Sequence, residues 1–99
     1  MTISTTRFSL PHGIDLDQLR AGFFASASFF EEAPGLLRKH YLISEDGRTA
    51  GGVYVWEDRE SAAAFLTGVV APLIFEKFGV ELTIEFFESP LTVEGAVPA

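Results

Sequence analysis

An Asp46-Gly47 pair lies between two apolar runs, Gly35–Ser44 and Thr49–Trp56, and this arrangement constrains the chain more than any other feature. Gly accepts positive φ without a Cβ clash, so Asp-Gly suits the turn of a tight hairpin. Leu, Tyr, Ile, Val and Trp on either side fit pleated strands. With Asp46 and Gly47 as the two loop residues, the register follows. Glu45 faces Arg48, Ile43 faces Ala50, Tyr41 faces Gly52, Lys39 faces Tyr54 and Leu37 faces Trp56. Side chains alternate along a strand, so Leu37, Lys39, Tyr41, Tyr54 and Trp56 share one face. Arg38, His40, Leu42, Val53 and Val55 share the other. Two phenols, an indole and an ammonium are thus gathered together, and any chemistry is expected on that face.

The flanking segments supply the remaining elements. Ile3–Leu10 is strand-like and Pro11 ends it. His12-Gly13 makes a turn, and Asp15 or Asp17 can cap a helix because a short carboxylate accepts orphan amide protons. Leu16, Leu19, Phe23, Ala27 and Phe30 recur at three- and four-residue steps, the mark of one helix face, while Gln18, Arg20 and Ser26 fall off it. Pro34-Gly35 stops this helix. Asp58 can cap a second helix whose stripe is Ala62, Phe65, Leu66 and Val69; Gly68 and Pro72 predict a break in it. Ala71–Phe78 resumes as a short helix with Gly79 as its C-terminal cap. Glu81–Ser89 is the fourth strand, and Pro90 ends it. Leu91-Thr92-Val93 is expected to be an arm that pairs with another chain, and the tail beyond Glu94 is expected to be loose.

The order strand–helix–strand–strand–helix–strand is the ferredoxin-like split arrangement, an α+β fold on a four-stranded antiparallel sheet. Right-handed crossovers place both helices on one sheet face. The other face keeps aliphatic and aromatic side chains, and large exposed apolar patches are rare. Two copies packed sheet to sheet remove that exposure, which predicts a homodimer. Ten Phe in 99 residues add to the expectation, since aromatics are enriched at interfaces. The length suits one domain, residues 1–99, and is too short for two.

Charge and composition exclude several function classes. A net charge of −7 argues against a nucleic-acid partner, which needs clustered Lys and Arg, and against an anionic membrane surface. The chain has no Cys, so disulfides, thiolate nucleophiles and iron–sulfur clusters are not expected. That usage fits a reducing cytoplasm. The first residues show no apolar signal core, and no run approaches eighteen apolar residues, so no membrane span is expected. His12 and His40 are far apart and lack helical spacing, and no nucleotide or acyl-transfer motif occurs; no metal or organic cofactor is expected. Glu31-Glu32 and Glu57-Asp58 flank helices and are solvated ends rather than acid/base pairs.

Each candidate on the hairpin has a plain structural alternative. Trp56, Tyr54 and Tyr41 are first of all core aromatics. Lys39, in mid-strand among aromatics, has three outcomes: its ammonium snorkels to solvent, pairs with a carboxylate, or lines a pocket.

Pro34-Gly35-Leu36-Leu37-x-Lys39, followed by Gly51-Gly52-Val53-Tyr54-Val55-Trp56, resembles the YdhR-like monooxygenase family of the dimeric α+β barrel superfamily. The resemblance runs from the Phe8 strand to the Phe86-Phe87 strand, and Gly68-Val69-Val70 departs from it where relatives are expected to carry a bulky aromatic. It implies a cofactor-independent oxidation of a phenolic or quinol-like aromatic by dioxygen, in a homodimeric α+β barrel. On that implication Lys39 stabilises a phenolate, Tyr41 and Tyr54 hydrogen-bond ring oxygens, and Leu37, Trp56, Phe23 and Phe65 contact the substrate. The alternatives are a non-catalytic dimeric binder of a small apolar molecule, and an interaction domain with a packed interior.

Overall fold

A computed structural model describes residues 1–96; the last three residues of the tail, 97–99, lie outside the described part. Four strands, β1 (Thr2–Ser9), β2 (Leu36–Ile43), β3 (Thr49–Trp56) and β4 (Thr83–Glu88), form one antiparallel sheet in the order β2-β3-β1-β4. The helix α1 (Leu16–Glu31) connects β1 to β2, and α2 (Arg59–Phe65) leads through a π-helical turn, Leu66–Val70, into α3 (Ala71–Phe78). The α+β, ferredoxin-like βαββαβ fold is therefore present.

Asp15 starts α1, its carboxylate accepting from the backbone N–H groups of Asp17 and Gln18. Asp58 does the same for α2 through the Ser61 N–H. The break expected at Gly68 and Pro72 does not occur. The Ala71 N–H reaches back five residues to the Leu66 carbonyl. That wider turn carries the chain past Pro72, which lacks a donor and whose ring would crowd the carbonyl four residues earlier in an α-helix. The resulting helix, Arg59–Phe78, is 20 residues long, and an 18-residue stretch of it has a mean hydropathy of 1.4, long and apolar enough by length and composition to cross a membrane. Dividing the segment at Gly68 hid its length. Ala62, Leu66 and Val70 turn one side of this helix onto Tyr54 and Trp56.

The hairpin register holds from the turn to Lys39. Ile43 faces Ala50, Tyr41 faces Gly52 and Lys39 faces Tyr54. The loop is wider than two residues: Ser44 N–H bonds to Thr49 O at 2.8 Å, leaving Glu45–Arg48 as the turn, with Gly47 at φ 71°. Widening the loop by one residue on each side leaves the pairing unchanged. Further along, a bulge between Leu36 and Arg38 makes Leu36, not Leu37, the partner of Trp56. A bulge inserts one residue into one strand only, so alternation alone cannot carry a register past it. Leu37 is 54% exposed as a result.

Two buried clusters lie between the sheet and the helices. One is Tyr54, Trp56, Ala62, Leu66 and Val70; the other is Phe8, Leu19 and Ala50; Ile74 and Leu82 pack against both. Trp56 is fully buried, and its indole N–H donates to Ser4 Oγ at 2.8 Å. Ser4 sits opposite Tyr54 on β1, diagonal to Trp56 on the same face. Ser4→Ala strands a buried donor, which costs about 1–3 kcal/mol. Urea unfolding is expected to show that loss as a lower midpoint with an unchanged slope.

Candidate functional site

Lys39, Tyr41, Tyr54 and Gly52 all belong to the sheet face that the helices cover, because β2 and β3 keep their alternation up to Lys39. Above them α1 presents Phe23, Ser26 and Phe30 at steps of three and four residues, which brings the three side chains to one helix face. Val70, Leu73 and Ile74 close the opposite side. These walls line a half-open cavity of about 690 Å³, within the range of small-molecule sites. Its lining is mostly apolar, with exposed Asp15, Glu76 and Lys77 on its solvent border.

Gly51 and Gly52 make the floor possible. A Cβ on Gly51 would stand 1.9 Å from the Thr6 carbonyl oxygen, so β3 and β1 approach too closely there for any side chain. A Cβ on Gly52 would stand 3.1 Å from Tyr54 Cε1 and 3.3 Å from Lys39 Cε. The missing side chain is the space that the lysine stem and the phenol ring occupy.

The Lys39 ammonium lies 3.2 Å from the ring centroid of Phe30, 3.8 Å from that of Tyr41 and 4.9 Å from that of Tyr54. Among the described residues its Nζ has no carboxylate within 4.0 Å; the ion pair present is Arg20–Asp17 on the surface. Of the three outcomes open to Lys39, it takes the third: it lines the pocket. Burial pulls its pKa down from 10.5 to about 7. The ring faces act the other way, since their negative quadrupoles favour the charged form. Burial also pushes the Tyr54 hydroxyl up to about 12, against a smaller downward pull from the Thr6 side chain, so Tyr54 stays protonated at neutral pH.

Tyr41 is held on three sides. Its ring lies 4.8 Å from that of Phe23 and edge-on to that of Phe30 at 5.8 Å. Its hydroxyl is 2.7 Å from Ser26 Oγ.

Of the residues expected to form the site, Lys39, Tyr41, Tyr54 and Phe23 line the cavity. Trp56 lies beneath it, stacked on Tyr54 at 5.8 Å and sealed from solvent. Phe65 packs against Trp56 and Phe30 rather than into the cavity. Leu37 is turned out by the bulge. Phe30 and Ser26 were not expected there. Phe30 was visible as a stripe residue, and the Phe23–Ser26–Phe30 spacing would have found Ser26 had polar residues been admitted to the stripe. Among the described residues no group of three or more His, Cys, Asp or Glu is placed to hold a metal.

An ammonium that is half neutral near pH 7 when folded and fully charged when unfolded penalises the folded state. The penalty is complete below pH 7, where both states carry the proton. It fades between pH 7 and 10.5, where the unfolded chain still binds a proton that the folded chain has lost. Lys39→Met is therefore expected to stabilise the fold by about 1–2 kcal/mol at pH 6, the rings offsetting part of the burial cost. Urea melts of both proteins at pH 6 and pH 10 are expected to show the gain shrinking at the higher pH.

A family model described as "Putative mono-oxygenase ydhR" matches residues 8–89 of the chain. No curated protein matches it. Among solved structures, a putative antibiotic biosynthesis monooxygenase from Deinococcus radiodurans is 17% identical with a TM-score of 0.72, over 98% of this chain and 100% of that one. SnoaB, a cofactor-independent oxygenase from Streptomyces nogalater, is 20% identical with a TM-score of 0.67, over 95% and 97%. A heme-degrading protein from Mycobacterium tuberculosis is 24% identical with a TM-score of 0.62, over 95% and 96%. At these identities the likeness is one of fold.

Proposed function

The chain belongs to the YdhR mono-oxygenase family, and from that membership and the cavity we propose that it is a cofactor-independent monooxygenase acting on a phenolic or quinol-like aromatic. The observation that carries the proposal is the Lys39 ammonium, caged by three rings at the wall of an apolar cavity with no carboxylate within 4.0 Å among the described residues. A phenolate supplies the missing anion. Its formation beside Lys39 raises the electron density of the ring, and the surrounding Phe23, Phe30 and Val70 keep water from the intermediate.

The oxidation needs no outside reductant. A hydroquinone anion passes an electron to dioxygen, the radical pair collapses to a ring hydroperoxide, and loss of water leaves a hydroxyquinone. One oxygen atom enters the product and the other leaves as water, so quinol plus dioxygen equals hydroxyquinone plus water. Tyr54, kept protonated, is the donor available to a ring oxygen.

A haem-degrading role, suggested by one structural neighbour, finds less support. Among the described residues no His lines the cavity: His40 alternates onto the opposite sheet face and His12 lies in the turn after β1.

The open sheet face supports association of two copies. Ile3, Val53 and Val55 lie half-buried there, and Leu42 and Phe87 are 45% and 48% exposed on it. Sheet-to-sheet packing would cover all five.

Two measurements test these proposals. Lys39→Met is expected to weaken binding of acidic phenols by roughly tenfold to a hundredfold and of their methyl ethers by less, because a charge-assisted hydrogen bond is worth ~1.5–3 kcal/mol. Calorimetric titration checks this, and oxygen uptake with a hydroquinone and anthrone panel checks for one dioxygen consumed per substrate; an equal effect on phenol and ether removes Lys39 from the site. Sedimentation at micromolar concentration is expected to show twice the chain mass of 10.8 kDa, and a monomer alone would overturn the dimer.

A further inference from the structure

The hydroxyl of Ser26 makes two contacts. Its Oγ donates to the Phe23 carbonyl oxygen at 2.9 Å, a bond back along its own helix. It also lies 2.7 Å from Tyr41 Oη. A serine hydroxyl has one proton and two lone pairs. Both contacts are satisfied together only when Tyr41 donates its proton to Ser26. The phenol oxygen of Tyr41 then has lone pairs left and no proton to offer.

Ser26 and Tyr41 both line the cavity. The Lys39 ammonium lies over the Tyr41 ring. A flat ligand with one oxygen at Lys39 thus has the Tyr41 oxygen within its own span. Phe23 and Phe30 pack the Tyr41 ring and leave it little freedom to turn its hydroxyl elsewhere.

We infer that Ser26 is a specificity-determining residue: by holding the Tyr41 proton it makes Tyr41 an acceptor toward the cavity, which then selects dihydroxy-aromatics over their monomethyl ethers. The second hydroxyl of such a ligand donates to Tyr41 Oη, and a methoxy oxygen at the same place meets only lone pairs. The inference rests on the proposed function, since it takes an aromatic oxygen at Lys39 as the anchor. It changes the expected part of Tyr41, from a general partner of ring oxygens to an acceptor for one hydroxyl proton, and leaves donation to Lys39 and Tyr54.

The test is anaerobic titration of 1-naphthol and of a set of naphthalenediols, differing in the position of the second hydroxyl, each against its monomethyl ether. Wild type is expected to bind the best-placed diol about fivefold to tenfold tighter than its ether, the worth of one hydrogen bond. In Ser26→Ala the Tyr41 proton is free to point at the ligand, and the ratio is expected to fall to about one or to invert. In Tyr41→Phe neither polarity exists, and the ratio is expected to fall to about one without inverting. Binding of 1-naphthol, which lacks the second oxygen, is expected to change less than twofold in Ser26→Ala, a control that loss of folding would not pass. A wild-type ratio for every pair in Ser26→Ala, with 1-naphthol still bound, overturns this inference alone. Failure of 1-naphthol to bind wild type overturns the proposed function and this inference with it.

Discussion

An ammonium on the covered face of a sheet, with no carboxylate beside it among the described residues, is the constraint from which the candidate site follows. Lys39 cannot be packed there as an aliphatic residue would be, because a charge taken out of water needs something in return. The protein returns ring faces, with Phe30, Tyr41 and Tyr54 around Nζ. It leaves a cavity beside the group instead of filling it. The stem reaches that place only because Gly52 has no side chain to obstruct it. Held this way, Lys39 costs stability at neutral pH and lies at the wall of an open cavity. Active sites commonly combine these two properties.

The long helix answers to a different constraint. Pro72 would interrupt an α-helix, and a break would move Ile74 and Phe78 off the sheet. One π turn removes the conflict with the proline and lets the helix continue, so Val70, Leu73 and Ile74 reach the cavity on one wall. π turns within helices often occur beside functional sites, where the extra residue redirects side chains. Here the turn falls on Leu66–Val70, which covers the Gly68-Val69-Val70 stretch. Val70, the last residue of the turn, lines the cavity wall.

Much of the site was legible because strand pairing is arithmetic. A two-residue and a four-residue turn centred on Asp46-Gly47 give the same partners, so Lys39 opposite Tyr54 and Tyr41 opposite Gly52 follow from either. The arithmetic fails at Leu37, since a bulge adds a residue on one strand with no mark in the apolar pattern. Trp56 and Phe65 looked like pocket walls because they share a face with the right residues. Sharing a face does not say how deep a side chain lies: Trp56 is core, and Phe65 is half-buried against it. Ser26 was set aside because a hydrophobic stripe counts only apolar residues, and a serine bonded to its own helix and to a tyrosine on β2 breaks that count.

Local chemistry alone determined the element order, the antiparallel hairpin, a helix start at Asp15 or Asp17 and another at Asp58, and the gathering of Lys39, Tyr41 and Tyr54 on one face. Each depends on residues within a few positions of one another, where period and capping act. The tertiary structure decided which face the helices cover at Lys39, that α1 brings Phe30 and Ser26 to it, and that the space between remains open. These depend on contacts between segments distant in sequence, such as Trp56 with Ser4 and Tyr41 with Ser26. No periodicity within one segment encodes how far another packs from it. Local period and register thus brought Lys39, Tyr41 and Tyr54 to one face, and packing decided which further residues join them and how deep each lies.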